Sequence, residues 1–270
     1  MRRSAPPFPG VRPALVVAHP GHELRLHRWL ELTGPSVLVL TDGSGAEGLP
    51  RLAATSRLLA AAGAAPGPVY GRLTDRALYA AILARDATLA VGLVEELAAT
   101  FVREGVDYVV ADALEGYNPA HDLCHLLVSA AVARAAHAGR RVAQFDFPLI
   151  GPPAAGAPGE PAVELRLDDA ALARKLAAAR AYAELGDEVE ETLAAHGVES
   201  FGVECLRPLG PAALDAPPPG RPPFYERYGA DQVAAGRYAR VLRYREHFAP
   251  LAALVRRWLQ SGEPCAAFAS

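Results

Sequence analysis

The sequence predicts an α/β fold, a mostly parallel sheet with helices on both faces, and three observations predict it. Short, nearly continuous apolar runs rich in Val and Leu recur along the chain, as strands buried on both faces require. Most are followed by a polar loop and then an Ala- and Leu-rich stretch with apolar residues at helical spacing. The length, 270 residues, suits one α/β domain with a large core.

The elements follow in order. Ala14–Ala18 (ALVVA) reads as the first strand and opens into the polar loop His19–Glu23. Ser36–Thr41 (SVLVLT) is the second, ending at Asp42-Gly43. Helices are expected over Leu52–Ala62 and over Leu78–Glu104, the latter as one helix or an interrupted one, stopped by Gly105. A third strand, 106–111, is followed by the loop 112–120 and a helix from His121 to Ala138. Val142–Phe147 gives the next strand. Past a Pro/Gly/Ala loop at 151–161, a short strand is expected at 163–167. One long helix should then run from Asp168 or Asp169 to His196, its acids at the positive end. A strand over 201–206, a loop over 208–223 and a helix from Ala230 through much of 234–259 complete the chain. With no internal repeat, 1–270 is read as a single domain with 1–13 as a flexible leader, and Pro217–Pro223 as a loop near the site.

Composition narrows the function classes. A net charge of −3 gives no reason to expect a nucleic-acid partner. The basic start MRRSAPPFPGVRP lacks the apolar core of a signal peptide, and no segment reaches membrane-spanning length without charge. Cys124, Cys205 and Cys265 are widely separated and show neither a disulfide framework nor CxxC spacing, which fits a reducing cytoplasm. Cys124 reads as a small buried filler. The expectation is a cytoplasmic protein with a small-molecule substrate and no membrane partner. Oligomerisation stays open, because apolar helix faces do not by themselves separate core from subunit interface.

Right-handed crossovers bring the loops after parallel strands to one edge of the sheet, where open α/β folds bind ligands. Two histidine-bearing loops fall there. The first reads Ala18-His19-Pro20-Gly21-His22-Glu23 and the second Glu115-Gly116-Tyr117-Asn118-Pro119-Ala120-His121-Asp122. His19 and His22, three apart in a chain turning toward a helix, can converge on one ion, and His121 would add a third nitrogen. Three protein ligands and an open position are what a hydrolytic zinc site needs, although another divalent metal is compatible. Taken singly, each histidine reads as a surface or hydrogen-bonding residue; two clusters at equivalent strand ends bring the ligand reading level with that one. His27, His137, His196 and His247 have no comparable context. Glu23 can be read as a fourth ligand, as a helix-start charge or, the preferred reading, as a carboxylate that orients a histidine.

VVAHPGHE, VLVLTDGSG and EGYNPAHD, in that order, resemble the PIG-L or LmbE-like family of N-deacetylases, most closely over 14–136. The resemblance implies a Rossmann-like fold and zinc-dependent removal of an acyl group, commonly acetyl, from an amino-sugar conjugate or related small metabolite. It also places residues. His19 stands at the first metal histidine, His22 at a ligating aspartate and His121 at the ligating histidine of the second motif. Gly21 replaces the aspartate base, Asn118 a histidine that stabilises the oxyanion, and Ala120 an aspartate beside the ligand. Arg51 aligns with an arginine that contacts substrate, and Tyr117, Phe224 and Tyr225 are expected along the cleft. Glycine takes no proton, so another carboxylate must serve as base. Asp122 is the first choice and Glu23 the second, with Asp42, Asp112 and Glu115 also at strand ends; Asp122 reads equally as a helix N-terminal charge. Asn118 can still donate an amide hydrogen bond to an oxyanion.

Two other readings compete. Gly43-Ser-Gly45-Ala-Glu-Gly48 satisfies GxGxxG, so a nucleotide-binding Rossmann-like protein is an alternative, although Pro50 interrupts the strand-to-helix junction. The exchanged site positions also fit a catalytically altered or non-catalytic metal- or small-molecule-binding protein on the same fold.

Overall fold

A computed structural model describes residues 10–45, 48–150, 163–217 and 222–261. Seven strands form one sheet: β1 (Pro13–Val17), β2 (Ser36–Thr41), β3 (Ala65–Leu73), β4 (Tyr108–Asp112), β5 (Ala143–Phe147), β6 (Val163–Arg166) and β7 (Val203–Leu209), in the order β3-β2-β1-β4-β5-β7-β6. The first five run parallel, and β7 lies antiparallel between β5 and β6. The helices are α1 (His27–Thr33), α2 (Leu52–Ala62), α3 (Asp75–Ala84), α4 (Ala87–Arg103), α5 (Pro119–His137), α6 (Asp169–Ala181), α7 (Gly186–His196), α8 (Phe224–Ala234) and α9 (Ala249–Ser261).

Alternation along the central strands builds both cores. Val16, Leu38, Leu40, Val109 and Ala111 face one layer with residues of α3, α4, α5 and α9. Leu15, Val17, Val37, Val39 and Val110 face the other, with α1, α2, α6 and α7. Each of these side chains is removed from water on its own face, at about 1.5–3 kcal/mol for a full Val or Leu. That explains why the strands read as unbroken apolar runs.

The structure corrects three expectations and decides between the two readings of 78–104. β3 was not expected, because Pro66, Gly67, Pro68 and Gly71 hide it; it is an edge strand with register shifts against β2, where missing donors are tolerated. The helix over 78–104 is two helices. Arg85 takes a left-handed φ of 56°, and Asp86 then caps α4 by accepting from Leu89 N–H at 2.9 Å. The helix over 168–196 breaks at Tyr182–Leu185, where the Tyr182 hydroxyl is drawn to Thr55 at 2.8 Å. The C-terminal helix starts earlier, at Phe224, stops at Ala234 and resumes as α9 after a π turn at Tyr244–Phe248.

The loop expected at 151–161 and most of Pro217–Pro223 lie outside the described residues, as do residues 1–9 of the expected leader. Of that leader's last residues, Arg12 N–H donates to Asp107 at 2.8 Å and Pro13 opens β1. No helix among the described residues is long and apolar enough to cross a membrane.

A buried ion pair joins α6, β7 and the start of α1. Lys175 Nζ lies 2.9 Å from Glu204 Oε1, and both side chains are almost wholly buried. Glu204 also accepts from the backbone N–H groups of Arg28 and Trp29 at 2.9 and 2.8 Å, satisfying two donors at the positive end of α1.

Candidate functional site

β1 and β4 are neighbours in the sheet, yet the chain leaves β1 toward β2 and leaves β4 toward β5. Strand order reverses there, and a crevice opens at the carboxyl ends of the two strands. Val16 pairs with Ala111, so the two following loops emerge side by side. A cleft of about 1420 Å³ begins at this point and contains His19, His22 and His121 among its walls.

Local rules set each histidine. His19 directly follows β1. Gly21 then takes φ 108°, ψ −23°, a turn that L side chains rarely adopt, and His22 opens a short 3-10 helix, His22–Leu26. His121 lies in the first turn of α5, which has Pro119 at its start and Asn118 as cap, the Asn118 Oδ1 accepting from Ala120 N–H at 2.8 Å. The ring centroids are 5.3 Å apart for His19–His22, 5.4 Å for His19–His121 and 4.5 Å for His22–His121.

Two of the rings are held from behind by carboxylates. His19 Nδ1 is 2.8 Å from Asp75 Oδ1 and 2.8 Å from Thr41 Oγ1. The Thr41 hydroxyl donates to the Ala18 carbonyl and therefore accepts from the imidazole. His22 Nδ1 is 3.0 Å from each Asp112 oxygen, and Asp112 Oδ2 also accepts from Ala18 N–H at 2.8 Å. The engaged Thr41 hydroxyl therefore puts the His19 hydrogen on Nδ1 and leaves its Nε2 lone pair for a ligand, and an ionised Asp112, which only accepts, would do the same for His22. His121 Nδ1 is buried without a hydrogen-bond partner.

Burial governs the electrostatics of His22 and His121. Burial, followed by the neighbouring His19, lowers the His22 pKa well below its ordinary value. Burial, followed by His22 and His19, does the same for His121. Neutral imidazole is the form that binds metals. Burial would raise Asp75, but hydrogen bonding to His19 and the charge of that ring outweigh it and hold the carboxyl well below the usual range. Burial pushes Asp112 up to about 7 against the Ala18 hydrogen bond.

The ring spacing can be compared with what an ion needs. With Zn–N near 2.1 Å, two imidazole centroids at a tetrahedral angle lie about 5 Å apart. The observed separations, 4.5–5.4 Å, match that spacing. The donor atoms themselves are not closed onto one point: no group of three His, Cys, Asp or Glu among the described residues could hold a metal ion as it stands. Binding would therefore require at least one ring to rotate.

The other expected site residues divide. Arg51, Tyr117 and Asn118 line the cleft. Arg51 Nε donates to Gly43 O at 2.8 Å, and Tyr79 donates its hydroxyl to Asn118 Oδ1 at 2.8 Å, which leaves the Asn118 amide nitrogen as its donor toward the cleft. Asp122 does not line the cleft. Its Oδ1 accepts from Glu115 N–H and Gly116 N–H at 3.2 and 3.0 Å, bracing the loop, and burial pushes it up to about 7. Glu23 touches no site histidine; it accepts from Gly21 N–H at 2.7 Å and Thr55 Oγ1 at 2.8 Å, and so holds the Gly21 turn. Glu115 accepts from Leu149 N–H and Ile150 N–H. Asp75 is the residue that sequence reading missed, because it opens α3 in a stretch to which no element was assigned and carries no motif.

The Gly21 position is closed. A Cβ there would lie 2.4 Å from Leu185 Cδ1, and Leu185 is buried in the core. Gly21→Asp is expected to destabilise the protein by about 2–4 kcal/mol, combining overpacking with positive-φ strain. Adding Leu185→Ala should relieve only the packing share; urea unfolding of the two variants measures the difference.

Three amides of the GxGxxG run are already engaged. Among its described residues, Ser44 N–H donates to Asp42 Oδ1, Gly45 N–H to Asp75 Oδ2 and Gly48 N–H to Ser44 O. A phosphate cradle needs such donors unpaired. Residues 46 and 47 of the run lie outside the described residues.

No family model matches the chain, and no curated protein matches it. Among solved structures, it is similar to the conserved protein TT1542 from Thermus thermophilus, with 18% identity and a TM-score of 0.48 over 74% of this chain and 95% of that one. It is also similar to the antimicrobial reagent A40926 pseudoaglycone deacetylase Dbv21, with 17% identity and a TM-score of 0.44 over 65% of this chain and 83% of that one.

Proposed function

We propose that the cleft is a zinc-dependent hydrolase site that removes an N-acyl group, acetyl first, from a small molecule such as an amino-sugar conjugate. The observation that carries this reading is the meeting of three imidazoles at the switch point, two of them held by buried aspartates. The resemblance of the AHPGHE and NPAHD segments to deacetylase motifs supports it. His19, His22 and His121 would hold the ion, which when bound lowers the pKa of a water and polarises a carbonyl.

The chain's own residues then have separate tasks. Asp75 and Asp112 keep Nε2 of His19 and His22 unprotonated. Asn118, its oxygen held by Tyr79 and Ala120, turns its amide nitrogen toward a developing oxyanion. Arg51 stands where a polar group of the substrate can be held. Asp122 is given no part in proton transfer, since both its known partners are loop amides. Both Asp75 oxygens are likewise engaged, one by His19 and one by Gly45 N–H. A positioned general base contributes about 10²–10⁴-fold, so turnover is expected to be slow by that factor relative to a site with a carboxylate at Gly21.

One observation favours a second reading, a non-catalytic binding protein: Leu185 fills the space beside Gly21 that a base would need. Zinc content and turnover separate the two. Gently purified protein should carry about one zinc per chain and His121→Ala far less. Wild type reconstituted with zinc should then release acetate from a panel of N-acetyl amines. Zinc binding without release across that panel would favour the binding protein, and no zinc in either protein would remove the metal reading altogether.

A further inference from the structure

Four aromatic rings stand exposed along one wall of the same cleft. Tyr117 precedes α5, Phe224 and Tyr228 lie one turn apart on α8, and Tyr238 follows that helix; each is 39–48% exposed. The rings form a continuous row. Tyr117 and Phe224 are nearly parallel, with centroids 4.7 Å apart and planes 3° apart. Phe224 and Tyr228 are 6.0 Å and 23° apart, and Tyr238 meets Tyr228 edge-on at 6.4 Å. The Arg227 guanidinium lies 5.9 Å from the Phe224 centroid. The row is anchored: buried Tyr225 donates its N–H to Gly116 O at 3.5 Å, which ties α8 to the loop carrying Tyr117.

A single exposed ring on a protein surface requires no explanation. A row of four inside a concave cleft that also holds three imidazoles does. Their alignment selects the ligand. Offset-parallel rings present a surface that another planar π system extends, whereas a saturated ring of equal size gains burial without the quadrupole contribution. Arg227 adds a cation beside the row, which disfavours a positively charged ligand and favours an electron-rich ring.

We propose that Tyr117, Phe224 and Tyr228 form a binding wall for a planar, uncharged aryl group. That group is carried on the same molecule whose N-acyl end reaches the histidines. The identity of the acyl end rests on the hydrolase reading; the aryl wall does not.

The test measures binding, so that the two ideas fail separately. Calorimetric affinities of the full chain, without added metal, are compared for N-acetyl-2-naphthylamine and its size-matched saturated counterpart, N-acetyl-2-aminodecalin. The naphthyl compound should bind about tenfold more tightly, and Phe224→Leu and Tyr117→Leu should each reduce that preference about two- to tenfold. Unchanged thermal midpoints would show that the exposed-ring variants fold. Equal affinities, or a preference that survives both ring substitutions, would overturn the wall. So would a dimer in sedimentation that dissociates on Phe224→Leu while the probe preference is absent, because the row would then be a contact between copies. Aryl preference in a chain that releases no acetate after zinc reconstitution would sink the hydrolase reading and leave the wall standing.

Discussion

Asp112→Asn is expected to lower zinc affinity by about 10- to 100-fold while leaving the fold almost as stable as wild type. The argument is one of tautomers. Asp112 accepts from Ala18 N–H through Oδ2 and faces His22 Nδ1 with both oxygens. An asparagine oxygen can keep the Ala18 bond, but its amide nitrogen then donates to Nδ1. The hydrogen of His22 moves to Nε2, the atom that would meet the metal, and the ring is no longer a ligand. Asp112→Ala should lose the same affinity and additionally leave a buried N–H unpaired, at about 1–3 kcal/mol. Competition against a chromogenic chelator gives the affinities and urea unfolding the stabilities. Unaltered zinc binding by Asp112→Asn would mean that His22 is not a ligand.

Lys175→Met should produce the largest loss of stability, about 3–5 kcal/mol, because it strands the Glu204 carboxylate in the core. Burial lowers the Lys175 pKa, and the charge and hydrogen bond of Glu204 oppose that shift; the pair survives because each partner compensates the other. Glu204 has a second task at the start of α1, where it accepts from Arg28 and Trp29. The double variant K175M/E204Q removes both charges but keeps an acceptor oxygen for only one of the two α1 donors, so it should recover part of the loss. Denaturant midpoints for the two single variants and the double variant close the cycle. A double variant no more stable than Lys175→Met would show that α1 requires a charged cap.

The parts of the fold that were readable have one property in common: the local pattern and the tertiary environment ask for the same residues. β1, β2, β4 and β5 are buried on both faces, and their sequences are apolar for that reason. β3 was unreadable because an edge strand tolerates the prolines and glycines that signal a loop. The break at Tyr182 was unreadable because it depends on a hydroxyl reaching Thr55, 127 residues away in sequence.

The same division holds at the site. The sequence by itself determined that two histidine-bearing loops follow parallel strands, and strand adjacency makes such loops neighbours. Only the tertiary structure decided which carboxylates serve those histidines. Asp112 reaches His22 across 90 residues and Asp75 reaches His19 across 56, whereas the nearby Asp122 and Glu23 turn away to backbone amides and Thr55. Proximity along the chain ranks carboxylates by reach, but a buried one goes where unpaired donors must be satisfied, and those donors are set by the packing of the whole domain.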